Sequence, residues 1–155
     1  MNIFVTSRCP EESAIRLWNN PVRARKMITE SLQLLAAYME SNGYTMLVNV
    51  NGNHYSTSKA ILGNKVTKWV LKNHLHFEWL VDHLEALYDK YEGNGFSHVP
   101  DNMNILRKYT TDNYSGKYDG IDFHNQAAAR SKKLDFKNNP CVFTAYDLYL
   151  KAQGD

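Results

Sequence analysis

Residues 21–43, PVRARKMITESLQLLAAYMESNG, carry the pattern that decides the fold. Ile28, Leu32, Leu35 and Met39 recur at spacings of 4, 3 and 4, which lays them along one side of a helix. Met27, Leu34 and Tyr38 widen that stripe. Proline opens the stretch, where a missing N–H costs nothing, and Gly43 lies just past its end. The spacing predicts a long helix over 21–42.

A second long helical stretch is predicted from 65 to 92, with a break near Asn73. Val66, Trp69, Val70, Phe77, Leu80, Val81, Leu84, Leu87, Tyr88 and Tyr91 form its broad apolar face, and Gly93-Asn94-Gly95 ends it. Upstream of both helices, Asn2–Thr6 reads as a short extended segment. Pro10-Glu11-Glu12-Ser13 starts a short helix that buries Ala14, Ile15 and Trp18 and stops at Asn19-Asn20-Pro21. Tyr44–Val50 is strand-like ahead of a turn at Asn51-Gly52-Asn53, and 54–63 reads as irregular. A short helix follows Pro100-Asp101, residues 109–123 form a polar loop studded with tyrosines, and a last helix covers 140–152. The expected fold is mainly α: a single compact domain over 1–155 with two long packed helices. A short N-terminal extended segment precedes them, and the C-terminal part is loop-rich.

Composition agrees with one core. A chain of 155 residues with 43% hydrophobic content is too short for several domains and too apolar for global disorder. No apolar run approaches the ~18–20 residues of a membrane span, and the first ten residues lack the basic-then-apolar build of a signal peptide. Cys9 and Cys141 have no metal spacing and read as two inert thiols of a reducing cytoplasm. The net charge of +2 permits a nucleic-acid partner without demanding one.

Three constellations bear on chemistry. Arg23, Lys26, Glu30 and Gln33, spaced 3, 4 and 3, share a helix face, and Arg16 and Arg25 add positive charge with no acid between Arg16 and Lys26. One carboxylate among cations suits proton transfer or stabilisation of a cationic sugar while the cations hold phosphates. The same residues also make an ordinary solvated face with a Lys26–Glu30 ion pair. Six histidines, His54, His74, His76, His83, His98 and His124, lack an HExxH pattern, so no metal site is expected. Farther on, Arg107, Lys108, Tyr109, Tyr114, Lys117, Tyr118, Arg130, Lys132 and Lys133 alternate cations with aromatics, a mixture suited to phosphate contact and base stacking. Asp112, Asp119, Asp122 and Asp135 dilute it, and loop tyrosines serve equally well as packing residues. No phosphate loop or dinucleotide fingerprint is present, and no cofactor is expected.

The start Met1-Asn2-Ile3-Phe4-Val5, the helix segment Lys26–Leu35, the pieces Lys68-Trp69-Val70 and Phe77-Glu78-Trp79-Leu80, and the closing Ala145–Lys151 together resemble a family of small tailed-phage proteins. Some members are distantly similar to phage pyrimidine-dimer DNA glycosylases of the endonuclease V type. That resemblance implies a small, largely helical protein whose long helix carries a catalytic glutamate flanked by phosphate-gripping arginines. On this chain the glutamate role falls on Glu30 and the phosphate role on Arg23 and Lys26. The family's nucleophile is an N-terminal amine. Where relatives carry an Asp-Lys-His run, this chain reads Pro21-Val22-Arg23. The expectation is a phage-encoded, DNA-interacting protein of the host bacterial cytoplasm with glycosylase-like base excision or modification. Arg16, Arg107, Lys108 and Lys117 would supply further phosphate contacts, and Tyr109, Tyr114 and Tyr118 aromatic ones. The competing expectation is a non-enzymatic phage protein that binds a host bacterial protein through its tyrosine-rich loops.

Overall fold

The computed structural model describes residues 2–55, 57–112, 116–123 and 136–155. Their elements are α1 (Pro10–Leu17), α2 (Pro21–Ser41), α3 (Lys59–Gly63), α4 (Lys65–Lys72), α5 (His74–Asp89), α6 (Val99–Arg107) and α7 (Val142–Ala152). The fold is mainly helical and packs around one core.

α2 begins because Pro21 fits its first turn and the Asn20 side chain accepts the Arg23 N–H at 3.1 Å. It ends where Gly43, at φ +87°, turns the chain so that the N–H groups of Gly43 and Tyr44 cap the carbonyls of Glu40 and Met39. Ile28, Leu32 and Leu35 are fully buried. The second predicted stretch is two helices. Asn73 adopts extended geometry and its side chain accepts the Leu75 N–H at 2.7 Å, so one residue ends α4 and caps α5.

α5 is the centre of the molecule and packs against α1, α2, α4 and α6. Its buried set includes Phe77, Trp79, Leu80, Leu84 and Leu87. Indole N–H groups tie the N-terminal region to it. Trp79 donates to the Arg8 carbonyl at 2.8 Å, and Trp18 on the other side donates to the Leu87 carbonyl at 3.1 Å. The His83 ring joins the Pro10 carbonyl to the same helix at 3.0 Å, and complete burial pushes its pKa down to about 4 against the small opposing effect of that bond.

Three local expectations need correction. Ile15, expected to be buried by α1, is 52% exposed, and Leu17 takes the buried position instead. Tyr44–Val50 forms no strand; a single antiparallel bridge, Val48 to His54, is all the turn at Asn51-Gly52 supports. The backbone of Val48 is satisfied instead by the Asn102 side chain of α6, which accepts its N–H at 3.1 Å and donates to its carbonyl at 2.7 Å. The stretch 54–63 is not wholly irregular, because Ser58 caps the short α3 by accepting the Ile61 N–H. Among the described residues no helix is long and apolar enough to cross a membrane.

Candidate functional site

The N-terminal segment and α2 meet at Glu30. Ile3, Phe4 and Val5 are buried, so the extended segment is part of the core. Asn2 shapes its start. The Asn2 side-chain oxygen accepts from the N–H groups of Ile3 (2.9 Å) and Phe4 (3.4 Å) and from the Tyr146 hydroxyl of α7 (2.8 Å). Phe4 sits at φ +50°, a left-handed conformation that costs a bulky residue about 1–3 kcal/mol. The Ser13 hydroxyl, donating to the Phe4 carbonyl at 3.1 Å, holds it there. The bend leaves the Asn2 N–H directed at the Glu30 carboxylate, 3.3 Å away. The other Glu30 oxygen faces the Lys26 ammonium at 3.6 Å. The Glu30 side chain is only 14% exposed, whereas Lys26 is 70% exposed, so the lysine stem covers the carboxylate while its ammonium faces solvent.

The other cations of this face serve the C-terminal helix. Arg23 pairs with Asp155 and lies over the Phe4 ring, its guanidinium carbon 5.1 Å from the centroid. Arg16 donates to Asp147 at 2.9 Å and to the Asp155 main-chain oxygen at 3.0 Å, while Asn20 donates to the Asp155 side chain at 2.8 Å. Burial opposes the charge of Asp155, but the Asn20 and Arg23 hydrogen bonds, with the Arg23 and Arg16 charges, hold its pKa below the ordinary value. Asp147 is likewise held low, first by its bond to Lys151 and then by Arg16. Arg16 and Arg23 therefore act here as a clasp between α1, α2 and the end of α7. Gln33, one turn beyond Glu30, does not join this cluster; with Thr29 it lines a cavity of about 460 Å³ whose far wall includes Tyr55, Phe96 and His98. Tyr55 has a pKa pushed up to about 12 by burial, so its hydroxyl stays protonated.

The second predicted cluster folds inward. Lys117 and Glu78 have side chains 1% exposed each and lie 3.6 Å apart. Arg107 pairs with Asp82 and Glu85, and the Tyr118 hydroxyl donates to Asp82. Burial and then the Asp82 bond push the Tyr118 pKa up. Lys117 and Tyr118, expected as surface contacts, are thus interior members of an ion network on α5. Tyr109 is half-buried beside Tyr44, ring centroids 5.0 Å apart, with its hydroxyl toward the Met46 sulfur. Lys108 is exposed. Tyr114, His124, Arg130, Lys132, Lys133 and Asp135 lie outside the described residues. The structure brings Glu30 and Lys26 together, joins Arg23 to Arg16 through Asp155, and places Arg107, Lys117 and Tyr118 in a separate network on α5.

Several residues of these clusters carried no sequence signal. Asp147 and Asp155 lie more than 130 positions from their arginines. Glu78 and Asp82 did carry one: two acids four apart within the largely apolar run Phe77–Leu84 signal buried charge with a partner elsewhere. Among the described residues no group of three His, Cys, Asp or Glu side chains could hold a metal ion. No protein-family model matches the chain, and comparison with curated proteins and with solved structures finds no match either.

Proposed function

We propose that the chain is a phage-encoded protein that acts on DNA in the host bacterial cytoplasm, with glycosylase-like chemistry centred on Glu30. The observation that carries the reading is the Glu30 carboxylate held 3.3 Å from the main-chain nitrogen of Asn2, beside Lys26 and a strained Phe4. A half-shielded carboxylate against the start of the chain is what a Schiff-base excision step needs. In that step a free α-amine bonds to the sugar C1′ and the glycosidic bond breaks; the Asn2 nitrogen is a peptide amide while Met1 precedes it and becomes such an amine only once Met1 is removed. The bonding pair leaves with the base, and the proton shed by the amine passes to Glu30. The resemblance to a family of small tailed-phage proteins, some distantly similar to phage pyrimidine-dimer glycosylases, supports the DNA-facing part of this reading.

The experiment is strand cleavage of ultraviolet-irradiated duplex by wild type and Glu30→Gln. The variant is expected to lose about 100-fold or more in rate, the contribution typical of a positioned acid–base group, while duplex affinity changes less than about twofold. Equal rates in the two proteins would contradict the reading. A second reading, a binder of a host protein, draws on the exposed Tyr44 and Met46 beside Tyr109, an aromatic patch of the kind that anchors protein partners. A host protein captured stoichiometrically after nuclease treatment, and released by Tyr44→Ala, would favour that reading.

A further inference from the structure

The charge of the chain is distributed unevenly in a way its net value conceals. From Ser41 to Phe77 there is no aspartate or glutamate, and Lys59, Lys65, Lys68 and Lys72 all fall within that stretch. Three of the four lie on α4 at spacings of 3 and 4, so one face presents Lys65, Lys68 and Lys72 together. All three are exposed, and among the described residues none takes part in an ion pair. This separates them from Arg16, Arg23, Arg107 and Lys117, whose charge is already answered by carboxylates.

The face has relief as well as charge. The three lysines border a groove of about 370 Å³ with Trp69, Phe123 and Asp122. Its floor is rigid. Trp69 stacks on His76 with centroids 4.1 Å apart, packs against Phe123 at 5.6 Å, and donates its indole N–H to the Asp122 carbonyl at 2.8 Å. Asp122 supplies one negative charge against three positive ones, so the groove keeps a net positive field. Burial lowers the pKa of His76, opposed by its bond to the Trp69 carbonyl and aided by the Lys72 charge.

We propose that this groove is a binding site for the phosphodiester backbone of a nucleic-acid strand, with Lys65, Lys68 and Lys72 as its phosphate contacts. At about 1.5 Å of rise per residue the three lysines span about 10 Å along α4, the axial length over which one duplex strand carries about three phosphates. Trp69 and Phe123 are 6% and 7% exposed, too little to stack a base, so the site reads the backbone without reading sequence. The site does not depend on the Glu30 reading, because holding a strand on α4 requires no chemistry at Glu30.

The test is fluorescence anisotropy of a labelled 20-base-pair duplex with the full chain across 50–200 mM KCl. Each phosphate contact contributes about 0.9 to the slope of log affinity against log salt. The Lys65→Gln/Lys68→Gln/Lys72→Gln variant should therefore lose about 2–3 units of slope and bind at least tenfold more weakly at 50 mM. Lys90→Gln, on the exposed end of α5, should leave the slope unchanged. The single variant Lys68→Glu, monitored by circular dichroism for folding, should weaken binding more than Lys68→Gln. An unchanged slope in the triple variant overturns the proposal. So does loss of poly-glutamate binding with duplex binding intact, which would assign the groove to an acidic protein. Cleavage by Glu30→Gln is read separately, so failure of one assignment leaves the other standing.

Discussion

Arg16 and Arg23 on one side of the molecule, and Lys65, Lys68 and Lys72 on another, are cationic sets put to opposite uses. The arginines close onto Asp147 and Asp155, with Arg23 also covering Phe4. The lysines face solvent along a groove with a single carboxylate. Guanidinium forks suit fixed pairing with carboxylates and rings, whereas ammonium groups on flexible stems suit a mobile polyanion. A cation close to Glu30 in sequence is thus no guide to a phosphate contact. The lesson is one of supply: charge is available to a ligand where the fold provides no acid to answer it.

Substitution should separate the two sets. Arg23→Gln leaves Asp155, whose side chain is 5% exposed, without its main counter-charge, and should destabilise the fold by about 1–2 kcal/mol in urea titration. Lys68→Gln should stay within about 0.5 kcal/mol, as changes at exposed unpaired positions do. Similar losses for both would erase the distinction between clasp and surface.

Acid should sharpen the comparison by a smaller margin. The folded pKa values of Asp147 and Asp155 lie below the ordinary 3.8, so the unfolded chain takes up protons first as pH falls. Their stabilisation is complete above that value and is lost as pH falls through the folded pKa. Thermal unfolding between pH 5 and pH 2 should therefore fall less steeply in Asp147→Asn/Asp155→Asn than in wild type. Parallel curves would show that the clasp carboxylates are not held low.

The frame of the molecule was legible because it rests on local rules. Period, Pro21, Gly43 and Asn73 specify α2 and the break between α4 and α5 through contacts a few residues long. What required tertiary contacts was not legible. Val48 bonds the Asn102 side chain instead of a strand, and Tyr118 leaves its polar loop to reach Asp82. Glu30 and Lys26 could be placed on one face from spacing, but the Asn2 N–H that meets Glu30 depends on the Phe4 bend and on Tyr146, 144 residues from Asn2. The run of lysines was open to reading from the acid-free stretch, though net charge over the whole chain averages it away, but the groove beside it needs Asp122 and Phe123 from far along the chain.

The proposed Glu30 chemistry stands apart from the α4 groove and needs a free amine beside the Glu30 carboxylate, near Asn2. Borohydride reduction of the full chain with abasic-site duplex, followed by peptide mass spectrometry, tests it most directly. A covalent adduct confined to the N-terminal peptide is expected in wild type, strongly reduced in Glu30→Gln. Duplex bound under the same conditions with no adduct, or an adduct on a peptide remote from Asn2, would contradict it.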